Sequence, residues 1–169
     1  MASTEQERYI LHLNHALAME SALIDHLERR AHEVPVQEVR HRILQHRDET
    51  VRHRDTVREI IESLGGEPTS TKANIQPPVT PGMLGKVLTA LESEKEDRML
   101  LESLADFSVE HYESGVYQAL AQIAHNLGFE GHVSRFDAIR QQEESMAEFI
   151  SNATPQAIQM AFPPERKAA

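Results

Sequence analysis

The sequence predicts an all-α protein, an antiparallel four-helix bundle with one long crossover and an extra short helix. Three observations predict it. Apolar residues recur at three- and four-residue spacing along four long stretches, the period of a helix with one packed face. The 7 glycines and 8 prolines of the 169 residues cluster outside those stretches, where they punctuate helices rather than interrupt them. The connections between the stretches run short, long, short. A 40% apolar share in a chain this long is enough for one core. A single bundle domain is therefore expected over 1–152, followed by a C-terminal tail over 153–169.

The first helix is expected over about 4–31. Its stripe of Ile10, Leu13, Leu17, Ile24 and Leu27 has one gap, and Glu20 fills it. The second helix, over about 36–64, follows a short link through Pro35, so the two form an antiparallel hairpin. Its seam starts with Val36, Val39 and Ile43 and ends with Val57, Ile60 and Leu64. Between them the same face presents His46, Glu49 and His53, with Thr50 alongside. Gly65 and Gly66 end it. Residues 65–81 hold four prolines and form the long connection. A short helix is expected next, over about 81–94, with Met83, Leu84, Val87, Leu88 and Leu91 as its apolar set. The next long helix, over about 96–127, lines up Leu100, Leu104, Phe107, Tyr117, Leu120, Ala121 and Ala124, with Glu110 and Glu113 between them. Gly128 ends it, and the last helix follows at once, over about 130–151. Its seam reads Val133, Phe136, Ile139, Glu143, Met146, Ala147, Ile150. Beyond it only a short turn is expected, near 155–160. Two short hairpins joined by one crossover are the layout of ferritin-like bundles.

Composition removes several function classes. A formal net charge of −10 argues against a nucleic-acid grip, which rests on a basic face. No stretch approaches the roughly 20 apolar residues of a membrane span. The N-terminus lacks the basic-then-apolar layout of a signal peptide, and the chain is expected in the cytoplasm. With no cysteine there is no disulfide framework and no thiolate metal site. No Ser-His-Asp order, Gly-rich phosphate loop or HExxH motif is present.

What remains unexplained by packing is one repeated defect. Each long helix carries a carboxylate near the middle of its apolar face: Glu20, Glu49, the pair Glu110 and Glu113, and Glu143. They sit roughly 13 to 16 residues from their helix starts, so in an antiparallel bundle they meet near the centre. Several ionised carboxylates cannot share an apolar centre uncompensated. Protons, arginines or metal ions must enter. Oxygen ligands with one or two imidazoles suit iron(II) or manganese(II), and two ions bridged by Glu49 or Glu143 account for the number of acids. Glu20, Glu110 and Glu113 complete the two coordination shells in this reading. His53 is the expected imidazole ligand, with His46 as a hydrogen-bonding neighbour behind it. His111 points away from Glu110 and is expected to be structural, and the other histidines to lie at the surface or at helix ends. Tyr117 is expected as a core aromatic within reach of the carboxylates. The alternative is a non-catalytic helical dimer acting as a stress or assembly scaffold. Its acids would be neutralised by protons or by Arg42, Arg52 and Arg140.

Particular stretches add a family resemblance. "VEHYESGVYQALAQIAHNLG" resembles the third main helix of the YciF/YciE bacterial stress-response family. "YILHLNHALAMESAL" is similar to its first helix, with Glu20 at that family's glutamate. "LQHRDET" is similar to its second-helix pattern, and "RQQEESM" lies where the family has a run of acids. The resemblance spans about 9–150. It implies a ferritin-like bundle, a homodimer, a di-metal site and a stress-related role; in the di-metal reading of the carboxylates, two iron or manganese ions are expected, with dioxygen or peroxide as small-molecule substrate. It makes Glu110 and Glu113 look like the paired third-helix carboxylates of rubrerythrin-type peroxidases. The pattern departs at Arg52, where relatives have histidine, and at Met146 and Ala147, where relatives offer a further ligand. The second ion is accordingly expected to be held more weakly.

Overall fold

The computed structural model describes residues 4–69 and 95–163. Four helices account for nearly all of them: α1 (Glu5–Glu33), α2 (Gln37–Ser63), α3 (Lys95–Asn126) and α4 (Glu130–Ala161). The short helix expected over 81–94 and most of the expected crossover lie outside the described residues.

Local chemistry sets the helix ends. Thr4 caps α1 in a reciprocal box: its hydroxyl accepts from Glu7 N, and the Glu7 carboxylate accepts from Thr4 N. The α1–α2 turn is short, and Arg40 closes it by donating to the Val34 carbonyl at 2.9 Å. Gly65 and Gly128 take φ +72° and +80° after α2 and α3, a left-handed conformation that lets each chain turn without a Cβ clash. At Gly66 a Cβ would come within 2.9 Å of Ile10, so the chain leaves α2 pressed against α1.

α1 packs on α2 and α3 on α4 as two tight hairpins, and the hairpins close through α1–α3 and α2–α4. All neighbours are antiparallel. His26 and Arg30 of α1 reach back to Asp106 and Glu102 of α3, while Glu59 of α2 meets Arg135 of α4. Gln6 donates to Leu64 O at 2.9 Å, placing the end of α2 beside the start of α1. α3 begins at the opposite end, near Arg30. The α2–α3 link therefore joins opposite ends of the bundle, as a ferritin-like crossover requires. Its first residues run back along α1, with Thr69 N donating to Asn14 Oδ1 at 2.7 Å.

The apolar core is split in two. One cluster contains Tyr9, Leu13, Leu17, Val57, Ile60, Tyr117, Leu120 and Phe136. The other contains Leu27, Val34, Ile43, Met146 and Ile150. Between them lies a band of buried polar side chains.

Two expectations fail in detail. Leu104 is 46% exposed, and Ala105 takes the buried position beside it, so α3 is turned by about one residue near its start. α4 does not end near 151 but continues through Pro155 to Ala161. Proline lacks the N–H that would bond Ser151 O, yet its φ fits a helix, and Thr154 Oγ1 occupies the carbonyl of Ile150 at 2.9 Å. The residues after it, Gln156, Ala157 and Ile158, resume the helix.

Candidate metal centre

Each of the four helices contributes to the polar band, because each has a polar residue at a phase that packing reserves for apolar ones. Glu20 of α1, Glu110 and Glu113 of α3 and Glu143 of α4 are at most 1% exposed. His46 and His53 of α2 are 1% and 2% exposed, two helical turns apart on the same face.

Two groups of potential ligands form within this band. Glu20, His53 and Glu143 offer atoms within 4.8 Å of one another, and so do His46, Glu110 and Glu143. Glu143 belongs to both. Its Oε1 lies 2.8 Å from His53 Nδ1, and its Oε2 lies 3.4 Å from His46 Nε2. His46 Nε2 is also 3.0 Å from Glu110 Oε2. Neighbouring polar groups fix the ligands from behind. Gln142 Oε1 accepts from His53 Nε2 at 2.6 Å, which leaves Nδ1 facing Glu143. Tyr117 donates its hydroxyl to Glu20 Oε1. Phe136 and His53 pack against the Tyr117 ring.

Glu49 lies outside both groups. Its Oε2 accepts from Arg42 and from His46 Nδ1, each at 3.1 Å, and its Oε1 from Gln45 at 3.1 Å. Burial opposes ionisation there, but His46 and Arg42 outweigh it and hold the carboxyl down to about 2. Glu113 is buried in the band with Oε1 unpartnered, outside both three-residue groups. Arg52 is exposed, and Arg140 pairs at the surface with Asp137 and Glu144. Among the described residues no arginine or lysine pairs with Glu20, Glu110, Glu113 or Glu143.

The electrostatics of the band follow from this shortage of cations. Burial, then the Glu143 charge, pushes Glu20 up to about 8. Burial pushes Glu110 up to about 7 against the pull of His46. Glu113, raised by burial and by its three carboxylate neighbours, lies well above the ordinary range. His46 is drawn the other way: burial favours the neutral ring, but Glu110, Glu49 and Glu143 together raise it to about 10. Each buried ion costs several kcal/mol, and a domain has only about 5–15 kcal/mol in hand, so four bare carboxylates are not tolerable. Protons remove the charge but leave the oxygens without partners. Glu20 Oε2 and Glu113 Oε1 have no hydrogen-bond partner among the described residues, and the facing oxygens of Glu110 and Glu143 meet only the nitrogens of His46 and His53. Carboxylate oxygens that meet only an imidazole or nothing, in two clusters, fit hard divalent cations of the iron or manganese kind.

Two histidine placements differ from the sequence expectation. His46 faces Glu110 and Glu143 directly rather than standing behind His53. α2 thus supplies an imidazole to each group, which offsets the ligand missing at Met146. The i, i+7 spacing of His46 and His53 carried that signal. His15, expected at the surface, is buried and meets the Tyr112 hydroxyl at 3.0 Å, and His26 bonds Asp106 at 2.9 Å. His111 is exposed and packs edge-on against Phe107.

Residues 4–162 match the family described as a domain of unknown function (DUF892). The chain belongs to the DUF892 family. The bundle of this DUF892 chain is similar to that of the E. coli stress protein YciF, with a TM-score of 0.75, 19% identity and coverage of 94% of this chain and 99% of that one. It is similar to YcfI from Rhodopseudomonas palustris, with a TM-score of 0.75, 16% identity and coverage of 88% and 94%. It is also similar to the ferritin-like, diiron-carboxylate proteins from Bacillus anthracis, with a TM-score of 0.67, 18% identity and coverage of 90% and 99%. These likenesses show the ferritin-like fold of this DUF892 chain. No curated protein matches the sequence. No described helix is long and apolar enough to cross a membrane.

Proposed function

We propose that this chain is a di-metal carboxylate protein that binds two iron or manganese ions and oxidises Fe(II) with dioxygen or peroxide, in a stress-related role. The observation that carries the reading is Glu143, which presents one oxygen to each of two buried ligand groups. Glu20 and His53 would hold one ion, His46 and Glu110 the other, and Glu143 would bridge them. Glu113, with a buried free oxygen, would complete either shell. The bound ions supply redox change at fixed positions. The chain supplies the rest. Gln142 and Glu49 fix the two imidazoles by bonding the nitrogen that faces away from the centre. Tyr117 holds one oxygen of Glu20 and leaves Oε2 free. The apolar clusters on both sides keep bulk water away.

Equilibrium binding of Fe(II) and Mn(II) to metal-free protein tests this. About two ions per chain are expected for the unaltered protein. Glu143→Ala removes ligands from both groups and should lose stoichiometric binding of both ions. Glu49→Gln keeps both groups and should weaken affinity by about 10- to 100-fold through loss of His46 orientation. Unchanged binding in Glu143→Ala overturns the reading. A scaffold without metal is then the remaining account, and the protein's stability would be indifferent to chelators.

A further inference from the structure

A cavity of about 60 Å³ runs into the second apolar cluster from the end of the bundle where α4 extends past its expected stop. Leu27, Val34, Ile43, Met99, Phe149 and Ala157 form much of its wall, with contributions from all four helices. Its outer rim includes Gln156, which is exposed, and Met160, 38% exposed. Its inner end is made by Met146 and Glu110, 2% and 1% exposed. It therefore reaches from the surface to Glu110, one member of the His46–Glu110–Glu143 group, on the side where Met146 offers no ligand.

The polar groups of this wall are engaged with one another. Arg30 bonds Asp106 at 3.0 Å and Glu102 at 2.7 Å. Ser103 donates to the Met99 carbonyl at 3.0 Å. At the inner end Glu110 Oε2 meets only His46 Nε2, at 3.0 Å. An unfilled void weakens a packed core, and two larger side chains on α4 would recover the loss. Ala153 and Ala157 leave it open. Water and hydrogen peroxide both need several hydrogen-bond partners to enter such a space, whereas apolar cavities stay dry and take up neutral, apolar molecules.

We propose that this cavity is the entry route and holding site for dioxygen, which makes dioxygen rather than peroxide the oxidant of the centre. The role as oxidant rests on the di-metal reading; the binding of a small apolar molecule does not. The reaction served is balanced as two Fe(II) each giving up one electron and dioxygen taking both with two protons, to leave as hydrogen peroxide.

Xenon stands in for dioxygen in metal-free protein, with the methionine methyl resonances as the readout. Xenon should shift Met99, Met146 and Met160, which line the cavity, and Ala157→Phe should abolish the shifts by filling it. In Fe(II)-loaded protein, Ala157→Phe should slow oxidation by dioxygen by about tenfold and leave oxidation by peroxide within about twofold. Ala153→Leu is a smaller filling that should give the same pattern if the phenylalanine variant does not fold. Absent xenon shifts, shifts that persist in the filled variants, or equal slowing with both oxidants would each overturn the proposal. A protein that binds xenon in this way but no Fe(II) would sink the di-metal reading and leave the binding site standing.

Discussion

His46 and Glu49, one turn apart on α2, have their pKa values driven in opposite directions, and both shifts favour the charged pair. The His46 ring is raised to about 10 by the acids around it, and Glu49 is held near 2 by His46 and Arg42. Spacing in the sequence puts Glu49 among the ligands and His46 behind His53; the structure turns His46 towards Glu110 and Glu143 and Glu49 towards Arg42, a distinction that rests on a few degrees of helix rotation. A second, partly buried set lies one layer away, where Asp106 accepts from His26 at 2.9 Å and from Arg30 at 3.0 Å. Burial opposes its charge, but His26 and Arg30 outweigh burial and hold Asp106 below its ordinary value. Burial pushes Glu102, on the same guanidinium, the other way, so Asp106 is the informative partner. A folded pKa below the unfolded one means that ionised Asp106 adds stability above about pH 4, and that this is lost as pH falls through the folded value. Asp106→Asn should therefore cost about 3 kcal/mol at pH 7, because it leaves the buried Arg30 with one carboxylate fewer. The gap between variant and parent should narrow as urea titrations are moved below pH 4. A constant gap across that range would count against the ion pair.

At the scale of elements, the hairpin pairings and three of the four helices were legible from the three- and four-residue stripe, with ends close to the glycines. The end of α4 was not. Proline reads as a stop because it removes an N–H and crowds the preceding turn. At position 155 the missing bond falls near a helix end that is largely exposed, where Thr154 ties its neighbouring carbonyl, so the penalty is small enough for the helix to continue. Pro155→Ala should restore the bond to Ser151 O and stabilise the protein by about 1–2 kcal/mol, less than the interior penalty because the unfolded chain also gains freedom. Chemical denaturation with helix content as the probe measures it. A loss of stability would mean that these turns are held by something other than the helix itself.

For the molecule as a whole, the two hairpins enclose a core that is apolar at both ends and acidic in the middle. Such a core is poorly built for stability alone, since replacing Glu20, Glu110, Glu113 and Glu143 by leucine-like side chains would join the two clusters into one. The shared depth of five carboxylates on four helices, Glu49 among them, was legible as soon as the helices were aligned antiparallel. The exchange of one histidine-facing oxygen on each side of Glu143 was not, because it depends on the α2–α4 register, which no single helix records. The central claim is that this band holds a pair of metal ions about Glu143. Anomalous scattering from crystals of protein purified without added metal, collected on both sides of the iron and manganese absorption edges, tests it most directly. The account predicts two peaks, one within ligand distance of Glu20 and His53 and the other of His46 and Glu110, with a Glu143 oxygen on each. No peak in the band at either edge, with the six side chains still ordered around it, would contradict it.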